Sequence, residues 1–247
     1  MDRPRLQTAP VGLRRWDPDD LTPPWRAWLG DPGTPAPEVR CVGPSVYELP
    51  ELFSESFLAR LTAEVQQGLA ESRGPEAALG PPNSMHRAGF VLAERGLGVL
   101  LDQLGEVLLG PLGRRLYPQR DLGEVVAVHG FVAHYGPEGD RALDFHVDES
   151  DLTLTLCLGD AFEGSAVYFE GLRCGAHLQT PARPEECFQY TPTPGAALVH
   201  LGAHRHGVRP ILVGARTSVI LWARSSGPGG GIAHGRLGPC PAWCGLH

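Results

Sequence analysis

Lysine is absent from this chain: all 21 basic residues among its 247 are arginine. Schiff-base chemistry, which needs a lysine amine, is thereby excluded. Basic runs are missing too, and the formal net charge is -7, which argues against a nucleic-acid partner. No apolar stretch approaches the roughly 18 to 20 residues of a membrane span. The opening MDRPRLQTAPVGLRRWDPDD lacks the apolar core of a signal peptide. These absences lead us to expect a soluble, cytoplasmic protein without a membrane partner. Its cysteines (Cys41, Cys157, Cys174, Cys187, Cys240 and Cys244) are then expected to be reduced.

Glycine and proline, by contrast, are plentiful at 32 and 24, which favours many turns and short strands over long helices. The 42% hydrophobic content is enough for one sizeable core. Residues 1–40, rich in Pro, Asp and Arg and dotted with Trp16, Trp25 and Trp28, read as a flexible N-terminal arm that its tryptophans can dock. Residues 41–120 read as a helical support region. Ser45–Leu49 forms a short strand there, and Ser54 caps a helix carrying Phe57, Leu58, Leu61, Val65 and Leu69 at three- and four-residue steps. A second helical stripe runs through Leu97, Leu100, Leu101, Leu104, Val107 and Leu108 and resumes at Leu112 and Leu116, past Pro111. From residue 121 to 226 the pattern changes to strands: Glu124–Tyr135, the alternating Leu152–Leu158, then Ala166–Phe169, Phe188–Thr191, Ala196–Leu201 and Thr217–Ala223. Residues 227–247 read as a loose tail. The expected fold is mainly β (α+β), a jelly roll preceded by supporting helices.

His146-Val147-Asp148 carries the first chemical signal. In an extended segment residues i and i+2 share a face, so these side chains can take adjacent positions on one metal ion. Alone the triplet is weak: about 0.5 such triplets arise by chance with 10 His and 12 Asp. A distant histidine from His206-Gly-Val-Arg-Pro210 can complete a face of two His and one carboxylate, leaving open positions as in non-haem Fe(II) oxygenases. Ten residues on, Arg216 and Ser218 share one face of an apolar strand, and a guanidinium at the mouth of a barrel suits a dicarboxylate. The ordered set is far more specific than any part of it.

The run from Val132 to Trp222 resembles the catalytic core of the prolyl and lysyl hydroxylase branch of the Fe(II)/2-oxoglutarate oxygenases. The resemblance is carried by Tyr135-Gly-Pro-Glu-Gly, Asp144-Phe-His146-Val-Asp148, Gly164-Ser-Ala-Val-Tyr-Phe169 and His206-Gly-Val-Arg-Pro210, followed by Gly214-Ala-Arg216-Thr-Ser218. It implies a double-stranded β-helix fold, with His146, Asp148 and His206 as iron ligands and Arg216 and Ser218 on the distal carboxylate of 2-oxoglutarate. Tyr135 would stand beside the same cosubstrate. The implied reaction consumes O2, with ascorbate a candidate reductant, hydroxylates a C–H bond and releases succinate and CO2. A carboxylate at Asp148 leaves no halide position, so hydroxylation is favoured over halogenation. The implied substrate is a peptidyl side chain of the proline or lysine type; a free amino acid or small metabolite is the alternative. Oligomeric state is not legible.

Competing readings stand beside this one. His204 rivals His206 as the third ligand, and His200 fits a supporting place behind the site. His129 and His134, an odd number apart on one strand, face opposite ways. Glu149 and Asp151 read as solvated carboxylates rather than substrate contacts. Cys240-Pro-Ala-Trp-Cys244, near His234 and His247, has zinc-compatible spacing but only one cysteine pair, so a tail is preferred. A non-catalytic jelly-roll binding module and a cupin-type metalloenzyme share the fold, but the retained ligands and Arg216 speak for the oxygenase. Separate replacements decide the histidine: Fe(II) binding measured by equilibrium dialysis should be lost in His206→Ala and kept in His204→Ala.

Overall fold

Alternation of side chains along two strands divides the molecule. In strand Leu152–Leu158 the leucines at 152, 154, 156 and 158 join one apolar core, while Thr155 and Cys157 look into a cavity on the other side. Strand Arg216–Ser225 repeats the division: Val219, Leu221 and Ala223 face the core, and Arg216, Ser218, Ile220 and Trp222 face the cavity. Successive side chains of a strand point to opposite faces, so one sheet can carry both a dry support face and a functional face.

The computed structural model describes residues 13–73, 79–159 and 161–227. Among the described residues the strands are β1 (Arg40–Gly43), β2 (Val46–Leu49), β3 (Gly89–Val91), β4 (Val125–Tyr135), β5 (Leu143–His146), β6 (Leu152–Leu158), β7 (Glu163–Gly164), β8 (Val167–Leu172), β9 (Cys187–Tyr190), β10 (Ala197–Leu201), β11 (His204–Val208), β12 (Ile211–Val213) and β13 (Arg216–Ser225). A seven-stranded antiparallel sheet has the order β1-β2-β10-β6-β13-β4-β3, and a four-stranded sheet has the order β5-β11-β8-β9. The short pair β12-β7 joins them as a third ladder. A second apolar cluster, including Phe131, Tyr135, Val167, Phe169, Leu198 and Ile220, lies on the inner faces. This is the jelly roll expected from the sequence.

Four helices support the outer face of the large sheet: α1 (Pro23–Gly30), α2 (Glu55–Glu71), α3 (Gly98–Leu104) and α4 (Gly110–Leu116). The Ser54 hydroxyl accepts from Phe57 N at 3.3 Å and caps α2, whose Phe57, Leu61, Val65 and Leu69 enter the core. Between α3 and α4 the chain continues as a π-helical turn, Gly105–Leu109, closed by Gly110 N donating to Gly105 O. Pro111 has no N–H and crowds the preceding turn, so a widened turn lets one leucine stripe run on through Leu112 and Leu116.

The described part of the expected flexible arm, residues 13–40, is docked. Trp25 and Trp28 are buried in α1 and meet edge to face at 5.6 Å; Trp25 Nε1 donates to Pro50 O at 2.9 Å, and Arg115 lies over the Trp28 ring. Large aromatic area outweighs the local Pro and Asp content that reads as arm-like. Residues 1–12, the tail beyond residue 227 and the candidate zinc ligands Cys240, Cys244, His234 and His247 lie outside the described residues. Trp25→Ala should cost about 3–5 kcal/mol of unfolding free energy in urea titrations, the range for deleting a buried aromatic side chain.

Candidate metal and cosubstrate site

Antiparallel pairing of β11 with β5 sets His206 directly opposite His146, and their ring centroids are 4.2 Å apart. Asp148 follows β5 by two residues, and its backbone N–H donates to Gly202 O at 3.0 Å, in the turn that leads from β10 into β11. His146 Nε2 lies 3.4 Å and His206 Nε2 3.7 Å from Asp148 Oδ1. One ligand atom from each of His146, Asp148 and His206 falls within 4.8 Å of the others.

The orientation of each group suits a metal. His146 Nδ1 donates to Asp144 O and His206 Nδ1 to His204 O, each at 2.8 Å, which leaves both Nε2 lone pairs free toward the centre. Thr153 Oγ1 donates to Asp148 Oδ2 at 2.6 Å and stands 2.7 Å from Ser150 Oγ. Burial works to raise the Asp148 carboxyl, but His206, His146 and His200 around it hold it well below the usual carboxylate range. Burial and the neighbouring His146 push the His206 imidazole well below its ordinary value, so it is neutral at pH 7. Burial also acts to lower His146, yet its bond to Asp148 raises it on balance.

The rival histidine is turned away. His204 Nε2 donates to Pro44 O at 3.0 Å, outside the cluster. His200 lines the cavity, with Nε2 3.7 Å from Asp148 Oδ2 and Nδ1 bonded to Leu201 O. His129 packs against Trp222 and Phe131, whereas His134 bonds to Thr217 Oγ1. Glu149 is exposed beside Arg224. Asp151 departs from the expected solvated carboxylate: it is buried and accepts from the N–H and hydroxyl of Ser225, tying down the end of β13.

A cavity extends from the His146, Asp148 and His206 cluster to Arg216, Ser218 and Tyr135. Arg216 lies deep rather than at the mouth, only 1% exposed, because it continues the inward face of β13. Its Nε donates to Ser165 Oγ at 2.9 Å and its Nη1 to Ser218 Oγ at 3.2 Å, while its Cζ rests 4.5 Å from the Tyr135 ring centroid. Among the described residues no carboxylate pairs with this guanidinium. A buried cation with spare N–H donors facing a cavity is a site for an anion. The cluster and the cation together fit a divalent metal and a dicarboxylate.

Residues 38–121 match the family described as the OGFOD2-like domain. A 2-oxoglutarate and iron-dependent oxygenase domain-containing protein of Arabidopsis thaliana, ICU11, is 35% identical over 176 residues, 71% of this chain and 44% of that protein. The human 2-oxoglutarate and iron-dependent oxygenase domain-containing protein 2 is 34% identical over 182 residues, 73% of this chain and 49% of its own. Residues 38–121 thus carry an OGFOD2-like domain, and the chain is similar in sequence to these oxygenase domain-containing proteins. It spans about half the length of these two relatives. In fold it is similar to a Pseudomonas putida prolyl-4-hydroxylase, with TM-score 0.50 and 17% identity over 74% of this chain and 94% of that one. A 2OG-Fe(II) oxygenase family protein from Burkholderia pseudomallei gives TM-score 0.50 and 19% identity over 72% and 85%. Both likenesses speak to the fold.

Sequence reasoning missed Thr153, Ser165 and His86, which contact Asp148, Arg216 and Tyr135 respectively. Ser165 lay within a motif quoted for the family, but no spacing marks it as a partner of Arg216; Thr153 is one alternating residue of β6. Thr153→Val should weaken Mn(II) binding about 10- to 100-fold in dialysis, the usual effect of losing a bond behind a metal ligand. Binding should also weaken as pH falls, beginning above pH 6.5, because the raised His146 holds its proton against the metal.

Proposed function

We propose that this chain is an Fe(II)- and 2-oxoglutarate-dependent dioxygenase that hydroxylates a C–H bond of a peptidyl side chain, of the proline or lysine type, with release of succinate and CO2. One observation carries the reading: three metal-competent side chains and an unpaired, buried guanidinium stand in the same cavity. His146, Asp148 and His206 would hold Fe(II), and Arg216 with Ser218 would bind the distal carboxylate of 2-oxoglutarate, beside Tyr135. When bound, iron and 2-oxoglutarate would supply oxidative decarboxylation by O2, one oxygen atom of which goes into succinate and the other into the substrate; ascorbate would serve as a reductant.

The chain's own residues position and shield. The carbonyls of Asp144 and His204 fix the two imidazoles in the tautomer that presents Nε2. Thr153 fixes Asp148 so that one oxygen faces the histidines and the other is tied back. Ser165, Ser218 and the Tyr135 face hold the Arg216 plane, which orients an incoming carboxylate before it binds. Apolar Phe131, Leu143, Val167, Leu198, Val208 and Ile220 keep the cavity dry. Because Asp148 supplies a carboxylate to the third facial position, the site favours hydroxylation over halogenation.

The peptidyl substrate rests on the motif resemblance to prolyl and lysyl hydroxylases, and the Pseudomonas fold neighbour is itself described as a prolyl-4-hydroxylase. Substrate choice would fall to the loops at 136–143 and 172–186. The second is braced by Arg173, which donates to both oxygens of Glu186 and to Thr180 Oγ1. No helix among the described residues is long and apolar enough to cross a membrane. A cytoplasmic location belongs to the same proposal.

Anaerobic addition of Fe(II) and 2-oxoglutarate to the metal-free protein should produce a visible metal-to-ligand charge-transfer band. His206→Ala should abolish it, and Arg216→Ala should weaken 2-oxoglutarate binding about 10- to 100-fold, the worth of a charge-assisted bidentate contact. A folded wild-type protein that binds Fe(II) and gives no band with 2-oxoglutarate would overturn the reading.

A further inference from the structure

We infer that His86 is a positioning residue of the cosubstrate site: anchored by Asn83, it accepts a hydrogen bond from the Tyr135 hydroxyl and so fixes the aromatic face on which Arg216 rests. This inference rests on the dioxygenase reading above and adds a residue outside its ligand set.

The tautomer follows from one oxygen atom. The Asn83 side-chain Oδ1 accepts the backbone N–H of Met85 at 3.0 Å and that of His86 at 2.9 Å. Backbone N–H groups only donate, so the atom facing them is the amide oxygen and not the nitrogen. His86 Nδ1 faces the same oxygen at 3.1 Å and must therefore carry a hydrogen. Burial pushes the His86 imidazole down to about 4, so the ring is neutral at pH 7 and its Nε2 is a bare acceptor. Tyr135, whose hydroxyl oxygen lies 3.1 Å from that Nε2, is the donor. Burial pushes the Tyr135 phenol up to about 12, so it keeps its proton for this bond.

The anchor itself is rigid. Strand β3 pairs with β4 through Gly89 opposite Ala133, and the Asp140 carboxylate accepts from the backbone N–H of Arg87 and Ala88 at 2.9 and 3.2 Å. Asn83, His86 and Tyr135 thus form a chain from the β3 edge to the phenol, whose face meets the Arg216 guanidinium at 4.5 Å. His86 and Tyr135 are 5% and 2% exposed, so their mutual hydrogen bond is made in a buried setting. Without His86 the phenol loses its polar tether, and the cation loses a fixed wall against which it presents its free N–H groups. The consequence is specific: affinity for a ligand bearing a distal carboxylate falls, whereas metal binding and a ligand lacking that carboxylate are untouched.

The test uses the full chain loaded with Mn(II) and titrated calorimetrically with 2-oxoglutarate or with pyruvate, which shares the oxo-acid end and lacks the distal carboxylate. His86→Phe should weaken 2-oxoglutarate about five- to tenfold, the effect of one lost buried hydrogen bond, with Mn(II) and pyruvate affinities unchanged. His86→Gln, whose amide oxygen can accept from Tyr135, should recover 2-oxoglutarate affinity to within about twofold of wild type. Unchanged 2-oxoglutarate binding in His86→Phe, equal losses for 2-oxoglutarate and pyruvate, or failure of His86→Gln to restore binding would each overturn the role of His86 alone. A wild-type protein that binds Mn(II) but not 2-oxoglutarate would overturn the dioxygenase reading as well.

Discussion

The register of one small strand organises the site. β11 is flanked by β5 and β8 in the four-stranded sheet, and its alignment with β5 sets His206 across from His146. A slip of one residue would turn His206 outward and send a neighbour inward, because strand side chains alternate. The same stretch of chain supplies Gly202 O, which holds Asp148 N, and His204 O, which holds the His206 ring. One candidate ligand, His206, and the anchors of two, Asp148 and His206, therefore come from a single passage from β10 to β11. The geometry of the candidate ligands is a property of the ladder rather than of the three side chains.

Around that passage the protein tolerates a costly arrangement. A buried guanidinium without a carboxylate partner carries a desolvation penalty of several kcal/mol. Ser165, Ser218 and the Tyr135 ring offset part of it and leave the remaining donors facing the cavity. Other buried cations find acceptors in the protein: Arg95 is paired with Glu64 and Glu71, Arg173 with Glu186, and Arg205 donates to the carbonyls of Leu178, Thr180 and Glu170. Arg216, unlike these three, lines the cavity, which makes it a candidate anion site rather than a structural ion pair.

Much of the scaffold is legible residue by residue. The alternation of Leu152–Leu158 and the apolar stripe from Leu97 to Leu116 reflect local periodicity, and the period survives because each element buries a single face. Strands β5, β11 and β12 are harder to see. They are short, and β11 reads His-Arg-His-Gly-Val, polar residues buried only because two sheets close over them. Trp25 and Trp28 sit in a Pro-rich stretch that resembles a free arm; their burial depends on Pro50 and Arg115, distant in sequence. Asp151 reads as a solvated acid because nothing nearby reveals that Ser225 will cover it.

What the sequence by itself determined is the chemical alphabet of the site: an H-x-D pair, a later histidine, and an arginine and serine on one face of the following strand. Spacing of two along a strand is a local geometric rule, so those groupings need no knowledge of the fold. The choice between His204 and His206 belongs to the tertiary structure, since it turns on which ring finds Pro44 O and which finds Asp148. So do the depth of Arg216 and the partners Thr153, Ser165 and His86, whose contacts join strands and loops from across the chain. A hydrogen bond between distant residues exists only after sheet closure has removed the competing water, and no one-dimensional pattern records which strands will meet.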